Sequence, residues 1–100
     1  MSLLTTVEDK RHFQVPAGKE FILSTPDLPE AEQQKLASLD DLSEAISLID
    51  PETFHTHVNE EKNDFANWVE GVFEEQELAE QLRKYPTPLR MMVSIERFLR

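Results

Sequence analysis

Apolar residues recur every three or four positions along most of the chain after residue 38. Because this spacing puts apolar side chains on one face of a helix, it predicts a mainly α fold, a small domain of five helices. Four helix starts are marked by residues that favour the N-cap or the first helical position: Ser38, Asp50–Pro51, Asn63–Asp64 and Thr87–Pro88. The core residues that the apolar faces predict are Phe54, Phe65, Trp68, Val72, Leu78 and Leu82.

The N-terminal third has a different period. Two pairs of alternating apolar residues flank a Pro-Ala-Gly-Lys turn: Phe13 with Val15, and Phe21 with Leu23. This alternation predicts a short N-terminal β-hairpin, which has to lie against the helices because an isolated hairpin is only marginally stable. Residues 24–37 contain prolines at 26 and 29, and they predict either a loop or a short helix that begins at Pro29.

Length and composition bound the class of protein. A chain of 100 residues corresponds to one domain. Residues 1–12 are polar and lack a period, so they predict a flexible N-terminal arm before a single helical domain over residues 13–100. The absence of cysteine excludes disulfides, thiolate metal sites and a cysteine nucleophile, and it is typical of a cytoplasmic protein. No apolar run reaches the roughly 20 residues that cross a bilayer, so no membrane association is predicted.

The net charge of −10 comes from twenty acidic and ten basic residues. It argues against nucleic acid as a partner, because phosphate contacts need a basic surface. The distribution is uneven: residues 50–80 hold ten acids and one base, whereas residues 81–100 hold five bases and one acid. This asymmetry is typical of a solvated acidic face with cations near helix C-termini, and the alternative is a dipolar surface that steers a protein partner.

The run from Phe54 to Ala79, FHTHVNEEKNDFANWVEGVFEEQELA, holds two histidines, an Asn-Asp helix start and the only tryptophan. It resembles a small prokaryotic domain family of unknown function that carries an HVN-x-x-KNDF-x-x-W motif, here residues 57–68. The resemblance covers about residues 36–83, and it departs from the family at Glu74-Glu75, where similar sequences often have Gly-Asp. Family members occur alone or appended to larger proteins, some of them similar to sugar-handling enzymes. The resemblance therefore implies an accessory or interaction module and brings no chemistry with it.

Six residues of this motif form a candidate polar cluster for ligand binding or for structure: His57, Asn59, Lys62, Asn63, Asp64 and Trp68. The structural interpretation is that Asn and Asp cap helix ends and that His57 is a partly buried imidazole bonded to the backbone or to Asn63. The alternative is a site for a metal or small ligand, with Trp68 as its floor. His55 and His57 are weak metal candidates, since residues two apart on a helix diverge by about 200°, and no metal site is predicted.

The last predicted helix carries apolar residues over roughly 220° of its circumference, about twice what one packing face requires. The residues in excess are Met91, Ile95 and Phe98, which form a candidate interface for a protein partner or for a second copy in a weak homodimer. The competing interpretation is full burial as the central helix of the domain. A membrane-surface role is disfavoured by the acidic body of the chain.

Signals of enzymatic activity are weak. The sequence contains neither a glycine-rich phosphate loop nor a G-x-S-x-G elbow, and no histidine lies beside an obvious nucleophile. We therefore expect that the chain is not an enzyme and uses no cofactor. The sequence predicts a non-catalytic accessory or protein-interaction module.

Overall fold

The computed structural model describes residues 13–25 and 27–100. Five α-helices and a two-stranded antiparallel sheet form a mainly helical unit there, which confirms the predicted fold class. The strands are β1, Phe21–Leu23, and β2, Gln34–Leu36; the helices are α1, Leu39–Leu48; α2, Pro51–His57; α3, Asp64–Trp68; α4, Gln76–Lys84; and α5, Pro88–Leu99. A π-helical turn, Val69–Phe73, continues α3, and a 3-10 turn, Glu30–Glu32, lies between the strands. The predicted arm at residues 1–12 lies outside the described residues.

The four predicted helix starts are confirmed by hydrogen bonds that the cap side chains accept. Each cap oxygen accepts a hydrogen bond from the backbone N–H three residues later, as N-cap residues do. The bonds are Asp41 N to Ser38 Oγ at 3.1 Å, Thr53 N to Asp50 Oδ1 at 2.8 Å, Ala66 N to Asn63 Oδ1 at 3.0 Å, and Arg90 N to Thr87 Oγ1 at 3.4 Å. The helix boundaries therefore follow from local sequence.

The N-terminal hairpin is present, but one of its strands is not the predicted one. The predicted turn forms, with the Lys19 N–H donating to the Pro16 carbonyl at 3.0 Å and Gly18 at a φ of 94°. The partner of β1 is β2, in a register that places Phe21 opposite Leu36. Three residues of β2 with one buried apolar side chain are too short a pattern to predict a strand, so this segment reads as loop in the sequence.

One hydrophobic core lies between the hairpin and the helices. Phe65 is completely buried there, and its ring centroid lies 5.0 Å from that of Phe21 in β1 and 6.2 Å from that of Phe54 in α2. The predicted core residues are buried except for Val72, which is half-buried. The π-helical turn rotates the residues that follow α3, so Phe73 takes the buried position instead of Val72.

The position of α5 corrects the predicted interface. The helix packs against both α1 and α4, and Met91 and Ile95 are 0% exposed, while Phe98 is half-buried against the core. Met91 and Ile95 therefore cannot lie on an interface, and the alternative of a buried helix is correct for them. The wide apolar arc reflects two helical neighbours instead of one. Within the described ranges, no helix is long and apolar enough to span a membrane.

Candidate functional site

Residues 57–68 contain the bend between α2 and α3 together with α3 itself. The chain reverses there through an isolated bridge between Val58 and Asn63, and the Asn59 N–H donates to the Lys62 carbonyl at 2.9 Å. The Asn59 side chain closes the bend from within, because its Oδ1 accepts from the Glu61 N–H at 3.0 Å and its Nδ2 donates to the His55 carbonyl at 3.0 Å. Asn59 thus satisfies the His55 carbonyl, which the end of α2 leaves without a helical partner, and the Glu61 N–H of the bend.

His57 is the most connected side chain of the bend. Its Nε2 accepts a hydrogen bond from the Ser24 N–H at 2.9 Å, and its Nδ1 lies 3.0 Å from Asp64 Oδ2. Since a backbone N–H can only donate, Nε2 carries no proton in this arrangement, and the proton on Nδ1 is donated to Asp64. His57 is 5% exposed, and its ring packs against the rings of Phe21 and Phe65, at 4.9 and 5.4 Å between centroids.

The sequence therefore predicts the kind of role that His57 has, but it misses one of the partners. The expected bond to the backbone exists, with Ser24 as donor. The alternative partner, Asn63, does not bond the ring; a second bond, which the sequence does not predict, joins it to Asp64 at the first position of α3.

Asp64 is held as a carboxylate. Its Oδ2 also accepts a hydrogen bond from Lys62 Nζ at 2.9 Å. Burial alone would raise the pKa of Asp64, but the hydrogen bonds from Lys62 and His57 and the positive charge of Lys62 outweigh it and hold that pKa below its ordinary value. A negative charge in the first turn of α3 is also favourable toward the helix dipole.

Asn63 and Trp68 join this bend to the rest of the domain. Besides capping α3, Asn63 donates from Nδ2 to the Leu82 carbonyl of α4 at 3.1 Å. Trp68 Nε1 donates to the Lys19 carbonyl at 2.8 Å, and its ring packs on Phe73 at 5.0 Å between centroids. Trp68 is thus a core residue that anchors the N-terminal turn.

The bend does not assemble the alternative ligand site with Trp68 as its floor. An open groove of about 380 Å³ lies beside the bend, lined by Val58, Asn59, Glu60, Glu61, Lys62, Asn63, Asn67, Arg83 and Pro86. Trp68 is not among the residues that line it. The guanidinium group of Arg83 donates hydrogen bonds to Asn67 Oδ1 at 2.9 Å and to Glu70 Oε1 at 2.6 Å.

The weak metal candidates are separated by the geometry of α2. His55 is exposed, whereas His57 is buried with both ring nitrogens engaged, so a metal at His57 would have to displace Ser24 or Asp64. Among residues 13–25 and 27–100, no group of three or more His, Cys, Asp or Glu side chains is placed to hold a metal ion.

A second groove, between α4 and α5, was not predicted from the sequence. It has a volume of about 360 Å³ and is lined by Glu75, Glu77, Leu78, Glu80, Gln81, Ser94 and Phe98. The acids Glu77 and Glu80 on either side of Leu78 are visible in the α4 sequence, but by themselves they do not indicate a groove. The sequence could not indicate that Phe98, from the edge of the apolar arc of α5, faces the same groove.

Comparisons with family models, with curated proteins and with solved structures find no match to this chain. The resemblance of residues 57–68 to a family of unknown function therefore stays a prediction. What the geometry adds is a physical role for these residues. Asn59 closes the bend, His57 and Asp64 hold it against β1 and α3, Asn63 joins it to α4, and Trp68 secures the N-terminal turn.

Proposed function

We propose that this chain is a non-catalytic accessory module of the cytoplasm that binds a basic, amphipathic helix of a partner protein. The observation that carries the proposal is the groove between α4 and α5. Glu77, Glu80 and the half-buried Phe98 line one concave site, with the buried Leu78 beneath it. An amphipathic helix would lay apolar side chains on Phe98 and place lysine or arginine side chains near the carboxylates.

The charge of the surrounding surface supports a cationic partner. Glu77 and Glu80 belong to residues 50–80, which hold ten acids against one base in a chain of net charge −10. Such a surface attracts cations over about one Debye length, roughly 8 Å at physiological salt, and speeds their association. Electrostatic complementarity of this kind orients a partner, while burial of apolar area at Phe98 provides the short-range contribution to affinity.

The state of the motif residues supports a module without catalysis. The polar groups of His57, Asp64 and Asn63 take part in hydrogen bonds within the domain. A catalytic acid, base or nucleophile has to present a proton or lone pair to a substrate. In this arrangement these groups instead hold secondary-structure elements together.

The proposal is tested with a synthetic helical peptide whose leucines recur every three or four residues and whose remaining surface is lysine. We expect saturable binding that weakens with salt, with NMR shift changes concentrated at Leu78, Gln81 and Phe98. The double variant Glu77→Gln with Glu80→Gln should weaken binding about tenfold by removing two close charge pairs.

The matched control removes the same charge elsewhere, with Glu52→Gln and Glu60→Gln, two exposed acids that do not line the groove. It should weaken binding less than about threefold. Equal losses in the two double variants, or shift changes spread over the whole surface, would mean nonspecific attraction and would overturn the proposal. Sedimentation of the chain alone tests the weak homodimer: a dimer that protects Phe98 would assign the groove to a second copy.

A further inference from the structure

His57 joins the end of β1 to the helices through one hydrogen bond that depends on its protonation state. Ser24 directly follows β1, and its N–H donates to Nε2 of His57, 33 residues later in the chain. Histidine is the side chain whose charge ordinarily changes between pH 5 and pH 8. A proton added to Nε2 turns this acceptor into a donor that faces another donor.

The charged groups that face the His57 ring lie on its Nδ1 side. Asp64 faces Nδ1 from α3, and Lys62 from the bend bonds the same carboxylate oxygen. β1 contributes the ring of Phe21, and α3 contributes the ring of Phe65; neither titrates. The Asp64 carboxylate is compatible with both the neutral and the protonated ring, because Nδ1 donates to it in either state.

We propose that His57 is a proton-sensitive latch that holds Ser24 against α2 when the ring is neutral and releases it when the ring is protonated. A proton from solvent binds the lone pair of Nε2, the Ser24 N–H loses its acceptor, and the Nδ1–Asp64 contact becomes an ion pair. The backbone after β1 then separates from α2, while the ring stays on α3.

Contacts on both sides of Ser24 confine the release to the backbone at this residue. The turn before β1 is held independently by the bond from Trp68 to the Lys19 carbonyl, and β1 remains paired with β2. After Ser24 the backbone is held by the side chain of Gln33. Its Oε1 accepts from the Thr25 N–H at 2.6 Å, and its Nε2 donates to the carbonyls of Thr25 at 3.0 Å and Leu28 at 2.7 Å. Ser24 is exposed, so water can take over the freed N–H. A local opening without global unfolding is the expected result.

The test combines nitrogen NMR of the histidine rings with amide hydrogen exchange on the whole chain. The neutral His57 ring should show an unprotonated Nε2 and a protonated Nδ1. As the ring protonates, the protection factor of the Ser24 amide, corrected for intrinsic exchange, should fall about tenfold, while that of the Phe65 amide stays constant.

Two substitutions on α2 separate the latch from a general effect of acid. His57→Gln supplies an amide oxygen for Ser24 and an amide N–H for Asp64 without titrating, and it should make Ser24 protection independent of pH. His55→Gln removes the exposed histidine of the same helix and should leave the pH dependence unchanged. A neutral ring that carries its proton on Nε2, or a Ser24 protection factor that does not change as the ring protonates, would overturn the proposal even if His57→Gln fails to fold.

Discussion

Trp68 and Lys19 are joined by a hydrogen bond of 2.8 Å between the indole Nε1 and the main-chain carbonyl oxygen, across 49 residues of sequence. The bond connects α3 to the turn that precedes β1. The indole ring also packs edge-on against Phe21, 5.7 Å away between centroids. The N-terminal segment is therefore fastened to the helical core by a backbone group and an apolar contact of the same side chain.

Replacing Trp68 with Phe should lower the free energy of unfolding by about 1–3 kcal/mol, because one hydrogen bond and part of the buried ring are lost. Lys19→Ala is the matched control: it keeps the accepting carbonyl and should change stability by less than about 0.5 kcal/mol. Urea unfolding followed by far-ultraviolet circular dichroism measures both, since the variant has no tryptophan fluorescence. Equal losses in the two variants would contradict the assigned role of the carbonyl.

Asn63 combines two interactions that can be removed separately. Asn63→Ala should destabilise the domain by about 2 kcal/mol, because it deletes the cap of α3 and the bond to the Leu82 carbonyl. Asn63→Ser keeps a capping oxygen but cannot reach Leu82, so it should cost about half as much. Chemical denaturation of the two variants checks the order. Equal costs would show that only the bond to α4 contributes to stability.

Local signals explain what the sequence could predict. The cap at Ser38 acts on Asp41, three residues away, so the start of α1 is visible in a short window. The pairing of β1 with β2 depends on contacts that a local pattern does not contain, and the single buried residue of β2, Leu36, is too weak a signal. The two-sided burial of Ile95 likewise depends on how many helices surround α5, which its own apolar arc cannot distinguish from an exposed interface.

In the candidate site, too, the sequence predicts the features that depend on neighbouring residues and misses those that depend on tertiary packing. That His57 is buried and bonds the backbone is predictable from its place at a bend between two helices. That its backbone partner is Ser24 is not, because the hairpin is brought to the bend only by tertiary packing. The groove at Phe98 also requires two helices, α4 and α5, to meet, and neither helix pattern alone indicates it.

The two glycines of the chain should respond oppositely to replacement by alanine. Gly71 lies in the π-helical turn, and an added Cβ would meet nothing within 4 Å, so Gly71→Ala should stabilise the domain by about 0.5–1 kcal/mol. Gly18 also has open space, but its φ of +94° is unfavourable for alanine, so Gly18→Ala should cost about 1 kcal/mol. Thermal unfolding of both variants is the measurement. Destabilisation by Gly71→Ala would mean that the turn needs the freedom of glycine.

Glu74 ends the π-helical turn in a left-handed conformation, with φ 58° and ψ 34°. A residue with a Cβ is strained there by roughly 1 kcal/mol, whereas glycine is not. Glu74→Gly should therefore raise the midpoint of urea unfolding, and Glu74→Ala, which removes the same charge but keeps a Cβ, should not. An equal gain in both variants would attribute the effect to charge.

Acid should destabilise the domain through carboxylates whose pKa is lower in the fold than in the unfolded chain. Hydrogen bonds from the backbone N–H and then the hydroxyl of Thr53 lower the pKa of Asp50. Hydrogen bonds from the backbone N–H groups of Glu20 itself and of Gly18 lower the pKa of Glu20. Burial raises the pKa of Asp64, but Lys62 and His57 outweigh that effect and lower it. As the pH falls, the unfolded chain binds protons first. The stabilisation is therefore complete above the unfolded pKa values, about 4, and is lost as the pH falls through the folded ones.

Asp50→Asn isolates one of these contributions, because asparagine caps a helix without titrating. Between pH 5 and pH 3 the urea midpoint of Asp50→Asn should fall less than that of the wild type. Glu60→Gln removes an exposed carboxylate elsewhere and serves as the control for net charge. If Asp50→Asn and Glu60→Gln flatten the pH dependence equally, the loss of stability in acid comes from the overall change in charge, and the N-cap of α2 makes no specific contribution to it.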